Sequence, residues 1–365
     1  MNSFLDWFIL YVFAGCILFN LGLILILWRV FRSAKKSAPT QSGICTGLSV
    51  IIAAKNEAGR LPFLLSALEN QKPVSVPFEV IIVNDASEDS TPVLLHKASL
   101  KYPWLKVIDL PQSSGKRRAL TRGVEESQYN SIAITDADCL PQDGWFRALV
   151  NNFNQDYDVI FGVAYSEIND NYVSRIGSYE NFRGTLLLLA AAYLKIPYSA
   201  RAANFGFKKA SFHALGGYHS TNDSISGDDD LLIREAFKAK MKIHYFTDES
   251  SFVKYFQKTS VFDYLRQKAR HTGSSHHYLF LHQFILTYWH AMNIFGQWAI
   301  IFAPFSVWFL WLTVLKTLFD AVITSLFERK CGYKFPLIDK FVIPFIYEFF
   351  IEVNFFYSFF RKSKW

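Results

Sequence analysis

From His271 to Leu315 the chain carries no Asp, Glu, Lys or Arg, and a second charge-free run extends from Trp7 to Trp28. At about 1.5 Å rise per residue, the earlier run is long enough to cross a hydrocarbon core of about 30 Å. The later run is about twice as long as one crossing needs. One transmembrane helix is therefore expected at the start of the chain and two antiparallel spans near its end. The first of these begins at about His277 and the second reaches about Phe327, with Pro304 turning the chain between them. A cleaved signal would open on basic residues, whereas here Asp6 precedes the first run and Arg29, Arg32, Lys35 and Lys36 follow it. Those cations place the segment that follows in the cytoplasm. The last apolar stretch, Phe341 to Phe360, contains Glu348 and Glu352 and ends on Arg361, Lys362 and Lys364. Carboxylates are costly inside a bilayer, so a helix lying in the interface is expected there, with a fourth span as the alternative.

The formal net charge of +7 comes from 38 Lys and Arg against 31 Asp and Glu, and much of the excess flanks the apolar runs. That placement fits a membrane surface and removes the reason to invoke nucleic acid. A hydrophobic content of 51% excludes disorder for most of the chain. Cys16, Cys45, Cys139 and Cys331 are too far apart for any C-x-x-C pair, which favours a reduced, cytosolic middle.

Five segments follow from these shifts in composition. They are a membrane helix with its basic flank at 1–36, an α/β domain at 47–258, an amphipathic interface segment at 259–276, two spans at 277–327, and a basic loop with a terminal helix at 328–365. Within the second, strand-like runs occur at 48–54, 78–85, 105–110, 131–138 and 158–167. Helical patterns lie between them at about 57–70, 89–101, 116–128 and 143–154, the second opening at Ser87 to Asp89. The alternation predicts an α/β fold with a mostly parallel sheet and helices on both faces. Such sheets bind ligands at the carboxyl ends of their strands, and here those ends carry acids: Glu57, Asp85, Asp136 and Asp138. A single acid there is more often a cap or turn former, but several on one edge point to a ligand. Asp136 and Asp138 have the spacing to share one hard cation, magnesium or manganese, with a substrate diphosphate. The run Gly227-Asp228-Asp229-Asp230 places three carboxylates before an apolar helix, more than capping requires.

The ordered set SVIIAAKNE, VNDASEDST, GKRRAL, TDAD, GDDDLLIR and QKARH resembles glycosyltransferase family 2, inverting enzymes of GT-A fold, over about residues 48–271. The resemblance implies that Ala53, Asn56 and Glu57 follow the strand that holds the nucleotide, and that Asp85 contacts its base or ribose. Gly115 and Lys116 would lie near the nucleotide at a helix start. Asp138 would ligate the metal, with Asp136 nearer the sugar nucleotide. Asn204 and the Gly216-Gly217-Tyr218 turn would shape the sugar and acceptor pocket. Asp228, or Asp229 beside it, would be the general base. Gln267, Arg270 and His271 stand where the family has Q-x-x-R-W, serving acceptor and diphosphate, with His271 in place of the tryptophan.

Together these imply an integral protein of the bacterial inner membrane with its catalytic domain in the cytoplasm. It would move a sugar from a nucleotide sugar to a lipid, lipid-linked glycan or polysaccharide acceptor. The rival readings are a membrane scaffold with a degenerate nucleotide-binding domain and a metal-dependent nucleotidyltransferase. The loop AAKNEAGRL holds only Gly59 and Arg60, poor in the glycine and arginine that the second rival needs after its first strand.

Overall fold

A computed structural model describes residues 3–33, 45–218 and 228–360. Helix α1 (Ser3–Ser33) leads into an alternating run of β1 (Leu48–Ala54), α2 (Leu61–Glu69), β2 (Phe78–Asn84), α3 (Thr91–Lys101), β3 (Leu105–Asp109), α4 (Lys116–Glu125) and β4 (Ser131–Ile134). Then come β5 (Cys139–Pro141), α5 (Trp145–Phe153), β6 (Val159–Gly162), β7 (Ala164–Ser166) and the long helix α6 (Tyr172–Tyr193). After β8 (Phe205–Lys208), α7 (Lys209–Ala214), α8 (Asp228–Lys238), β9 (Ile243–Phe246) and β10 (Val253–Tyr255), four helices close the chain. They are α9 (Val261–Ser275), α10 (Phe280–Trp298), α11 (Val307–Phe327) and α12 (Asp339–Phe360).

Seven strands form one sheet in the order β3-β2-β1-β4-β8-β6-β9. The first four are mutually parallel, as their helical crossovers require, while β8 runs antiparallel to both β4 and β6. The run 158–167, expected as one strand, is broken at Val163. Its carbonyl accepts from the Val253 amide and from Asn204 Nδ2, which draws the chain out of the first ladder. Beyond the break, β7 joins a small sheet in the order β5-β10-β7.

The apolar runs of β1 and β2 are continuous because both faces of the sheet are covered. Val50, Ile52, Val80 and Ile82 pack with Leu64, Leu68, Leu95 and Leu149 of α2, α3 and α5. The alternate residues Ile51, Ile81 and Val83 pack with Leu120 of α4, in a core that continues through Phe182 and Leu186 of α6 to Leu27 and Val30 of α1. Each such fully buried side chain contributes about 1.5–3 kcal/mol. Helix α6 is thus the layer between the sheet and the terminal helices.

Among the described residues, two helical stretches are long and apolar enough to cross a membrane: Leu10–Ser33 within α1, and α11. Leu18, Leu25 and Trp28 of the first, and Trp308, Trp311, Leu318 and Leu326 of the second, are exposed. The expected span beginning near His277 is not among them, since α10 carries His282, Gln283, His290, Asn293 and Gln297. Pro304 does fall in the short connection between α10 and α11. Glu348 of α12 faces inward. It is 0% exposed and accepts from Arg183 Nη1 of α6 at 2.7 Å, while Glu352 accepts from Trp298 Nε1 at 2.6 Å. The cost that disfavoured burial is offset by partners distant in sequence.

Candidate active site

The carboxyl ends of β1, β2 and β4 open on one cavity of about 370 Å³, walled also by α8, α9 and the segment before β8. Ala53, Glu57, Asp85, Lys116, Asp136, Asp138, Asp229 and Gln267 all reach it, so the geometry gathers residues from six separate motifs.

Asp85 is 2% exposed. Its Oδ1 accepts from the Ser114 amide at 2.6 Å and its Oδ2 from the Gly115 amide and Ser113 Oγ, each at 3.0 Å. Burial works to raise its pKa, but these hydrogen bonds prevail and hold the carboxyl below the ordinary range. Asp85 therefore shapes the loop that begins α4. Gly115 there has φ of 87°, a conformation side-chain-bearing residues rarely adopt, and it presents Lys116 to Asp136 Oδ1 at 2.7 Å. Asn56 is a loop brace: its Oδ1 accepts from the Glu88 amide at 2.8 Å and its amide donates to Ser87 Oγ. Asp89, one residue before the N-cap Ser90 of α3, accepts through Oδ1 from the Thr91 amide at 2.9 Å.

Ligand atoms of Asp136, Asp138 and Cys139 lie within 4.8 Å of one another. Burial first, and then the charge of Asp136, raises the pKa of Asp138 despite Arg60 Nη1 at 3.4 Å. Glu57 is raised likewise, by burial and then by Asp138. Carboxylates crowded into mutual repulsion fit a hard divalent cation, which would relieve it. Burial and the same two acids push the Cys139 thiol up, so it stays protonated and offers no hard ligand.

Asp229 Oδ2 accepts from the Ala202 amide at 2.6 Å, at the cavity wall. Asp230 is engaged otherwise: Oδ2 accepts from Tyr278 Oη at 2.9 Å, and Oδ1 accepts from Ser199 Oγ. With Arg234 Nη1 donating to the His277 carbonyl at 2.8 Å, α8 is tied to the segment entering α10. Asp228 is the first residue of α8, and its side chain lies outside the described residues, as do those of Arg270 and His271. Gln267 reaches the cavity, and its neighbour Lys268 pairs with Glu180 of α6 at 2.9 Å.

Two expected site residues lie off the cavity wall formed by the described residues. Asn204 belongs to the core: 0% exposed, it accepts from Trp145 Nε1 at 2.8 Å and donates to the carbonyls of Val163 and Ser251. Replacing it with Ala should lower stability by about 2–4 kcal/mol, by orphaning these buried groups, and leave donor affinity of the folded fraction unchanged. Unfolding and donor titration of the same sample check this. Gly217, with φ of 59°, sits against the ring of Phe212, apart from the cavity wall formed by the described residues. Sequence reasoning missed Arg201 and Lys258 on that wall and Ser199 and Tyr278 behind it, because no local pattern marks them.

Residues 49–215 match the family model for glycosyl transferase family 2. The chain carries a family 2 glycosyltransferase domain. The match ends before α8, so Asp229 and Gln267 lie outside it. An uncharacterized glycosyltransferase of Synechocystis sp. is 29% identical over 129 residues, covering 35% of this chain and 41% of that protein. The poly-beta-1,6-N-acetyl-D-glucosamine synthase of Staphylococcus aureus is 29% identical over 113 residues, 30% of this chain and 26% of that protein. The chain thus spans well under two thirds of the length of these relatives. The mannosyltransferase PcManGT of Pyrobaculum calidifontis, solved with GDP-Man and Mn2+, superposes over 97% of this chain and 100% of its own at a TM-score of 0.54 and 15% identity. At that identity the likeness establishes the fold, which is GT-A.

Proposed function

We propose that the protein transfers a sugar, with inversion, from a nucleotide diphosphate sugar to a lipid, lipid-linked glycan or polysaccharide acceptor at the cytoplasmic face of the bacterial inner membrane. The observation that carries the reading is the convergence of Asp85, Asp136, Asp138 and Asp229 on one cavity at the strand ends. The loop that Asp85 organises supports the nucleotide. Asp136 and Asp138 would hold a divalent cation, which supplies charge to stabilise a leaving diphosphate. Asp229, fixed by the Ala202 amide, takes the proton of the acceptor hydroxyl as that oxygen attacks the anomeric carbon. The exposed tryptophans and leucines of α1 and α11 meet lipid, and the cations after Trp28 meet its cytoplasmic surface.

The test is nucleotide release by detergent-purified protein, supplied with membrane lipid extract and manganese, across UDP-, GDP- and dTDP-sugars. One donor should turn over, and Asp138→Asn should lose metal-dependent donor binding. Equal donor affinity in wild type and Asp138→Asn would refute the metal assignment. The raised pKa values of Asp138 and Glu57 give a pH dependence as well. These groups hold their protons more tightly than ordinary carboxylates do, so on acidification a cation must compete with protons early. Metal-dependent donor binding should weaken on acidification sooner than ordinary carboxylate ligands would dictate. A manganese titration at a series of pH values measures it.

A further inference from the structure

Arg201 lines the cavity beside the acid run, one residue before the amide that holds Asp229. A guanidinium stays protonated in a protein, so one that is half-buried beside a cavity favours an anion or acceptors there. Several cations around the cavity have theirs. Lys116 pairs with Asp136, Arg60 with Asp138 and Glu57, and Lys268 with Glu180. Arg201 Nε is buried with no hydrogen-bond partner, and no carboxylate among the described residues forms an ion pair with the side chain. Asp229 and Asp230 act on it only as more distant charges, and its other neighbours are the phenols of Tyr255 and Tyr198.

The backbone opposite is shaped to receive this side chain. A Cβ at Gly184 of α6 would stand 2.4 Å from Arg201 Nη2, so any larger residue on that turn would displace the guanidinium. The fold thus makes room beside the cavity for a cation whose Nε has no partner.

We propose that Arg201 is a phosphate-binding residue of this site, an assignment that rests on the glycosyltransferase reading. Its planar fork suits two oxygens of one phosphate. Two sources present that chemistry, the diphosphate of the donor and a phosphate carried by a lipid acceptor, and the two are separable by experiment.

The full chain in detergent is titrated with UDP, GDP and dTDP against the matching nucleosides, and with a polyprenyl phosphate against the matching polyprenol, in wild type, Arg201→Gln and Arg201→Lys. Arg201→Gln should weaken the phosphate-bearing probe by about 10–100-fold, leave the dephosphorylated one within about twofold, and be partly rescued in Arg201→Lys. A loss confined to nucleoside diphosphate assigns the donor, and one confined to polyprenyl phosphate assigns the acceptor. Gly184→Ala keeps the charge but crowds it, and should reproduce the loss if Arg201→Gln does not fold. Unchanged affinities for both phosphate probes in folded variants overturn the assignment while the glycosyltransferase reading stands. A wild type that binds no probe and turns over no donor overturns both.

Discussion

Asp229→Asn should retain donor binding within about twofold and lose turnover by about 10²–10⁴-fold, the usual contribution of a general base. The substitution is close to isosteric, and the Asn carbonyl can still accept from the Ala202 amide at the cavity wall, although the bond that Oδ1 accepts from the Asp230 amide at 3.0 Å is given up. What is also lost is the capacity to take a proton. The neighbouring acid supplies the contrast. Asp230 is held by the hydroxyls of Ser199 and Tyr278, and Asp230→Asn can accept from one and donate to the other, so its effect should be small beside that of Asp229→Asn. Tyr278→Phe should lower turnover by loosening α8 without altering donor affinity. Initial-rate transfer assays paired with equilibrium binding of the nucleoside diphosphate separate these outcomes. Full turnover in Asp229→Asn would move the base to another residue of the acid run.

The acids at the strand ends were readable because each follows directly from a strand in sequence, and parallel strands bring such ends together whatever lies between them. The motif order then identified the domain. The placement of Asn204 was not legible because its partners are Trp145, Val163 and Ser251, and nothing near it in sequence announces that it ties three elements together. Arg201 and Tyr278 were passed over for the same reason: an arginine among alanines, or a tyrosine at the mouth of an apolar run, acquires meaning only from what the fold places beside it. In the last helix the signal is of another kind. Burying Glu348 carries a penalty, but the charge that offsets it sits on α6, in the middle of the catalytic segment.

That pairing leads to the largest stability effect expected. Arg183 Nη1 lies 2.7 Å from Glu348 Oε1 of α12, Lys316 Nζ of α11 lies 2.7 Å from Asp320 Oδ2 and 3.6 Å from Glu348 Oε1, and none of the four residues is more than 7% exposed. The guanidinium also faces the rings of Trp289, Tyr347 and Tyr179, at 5.0, 5.4 and 5.9 Å from their centres. Two positive and two negative charges balance inside the helices, with α6 contributing one of them on behalf of the catalytic domain. Removing Arg183 alone leaves an uncompensated buried carboxylate, so Arg183→Met should destabilise the protein by about 3–5 kcal/mol. Arg183→Met combined with Glu348→Met restores neutrality, keeps the Lys316 and Asp320 pair, and replaces the charges by apolar volume, which buried pairs commonly tolerate. The double variant should therefore recover most of the loss. Thermal unfolding of the purified chains in one detergent, at one scan rate, measures both, with the single variant unfolding on the order of 10 °C lower. A double variant no more stable than the single one would mean that Arg183 acts through its aromatic contacts, and that Glu348 tolerates burial without a countercharge.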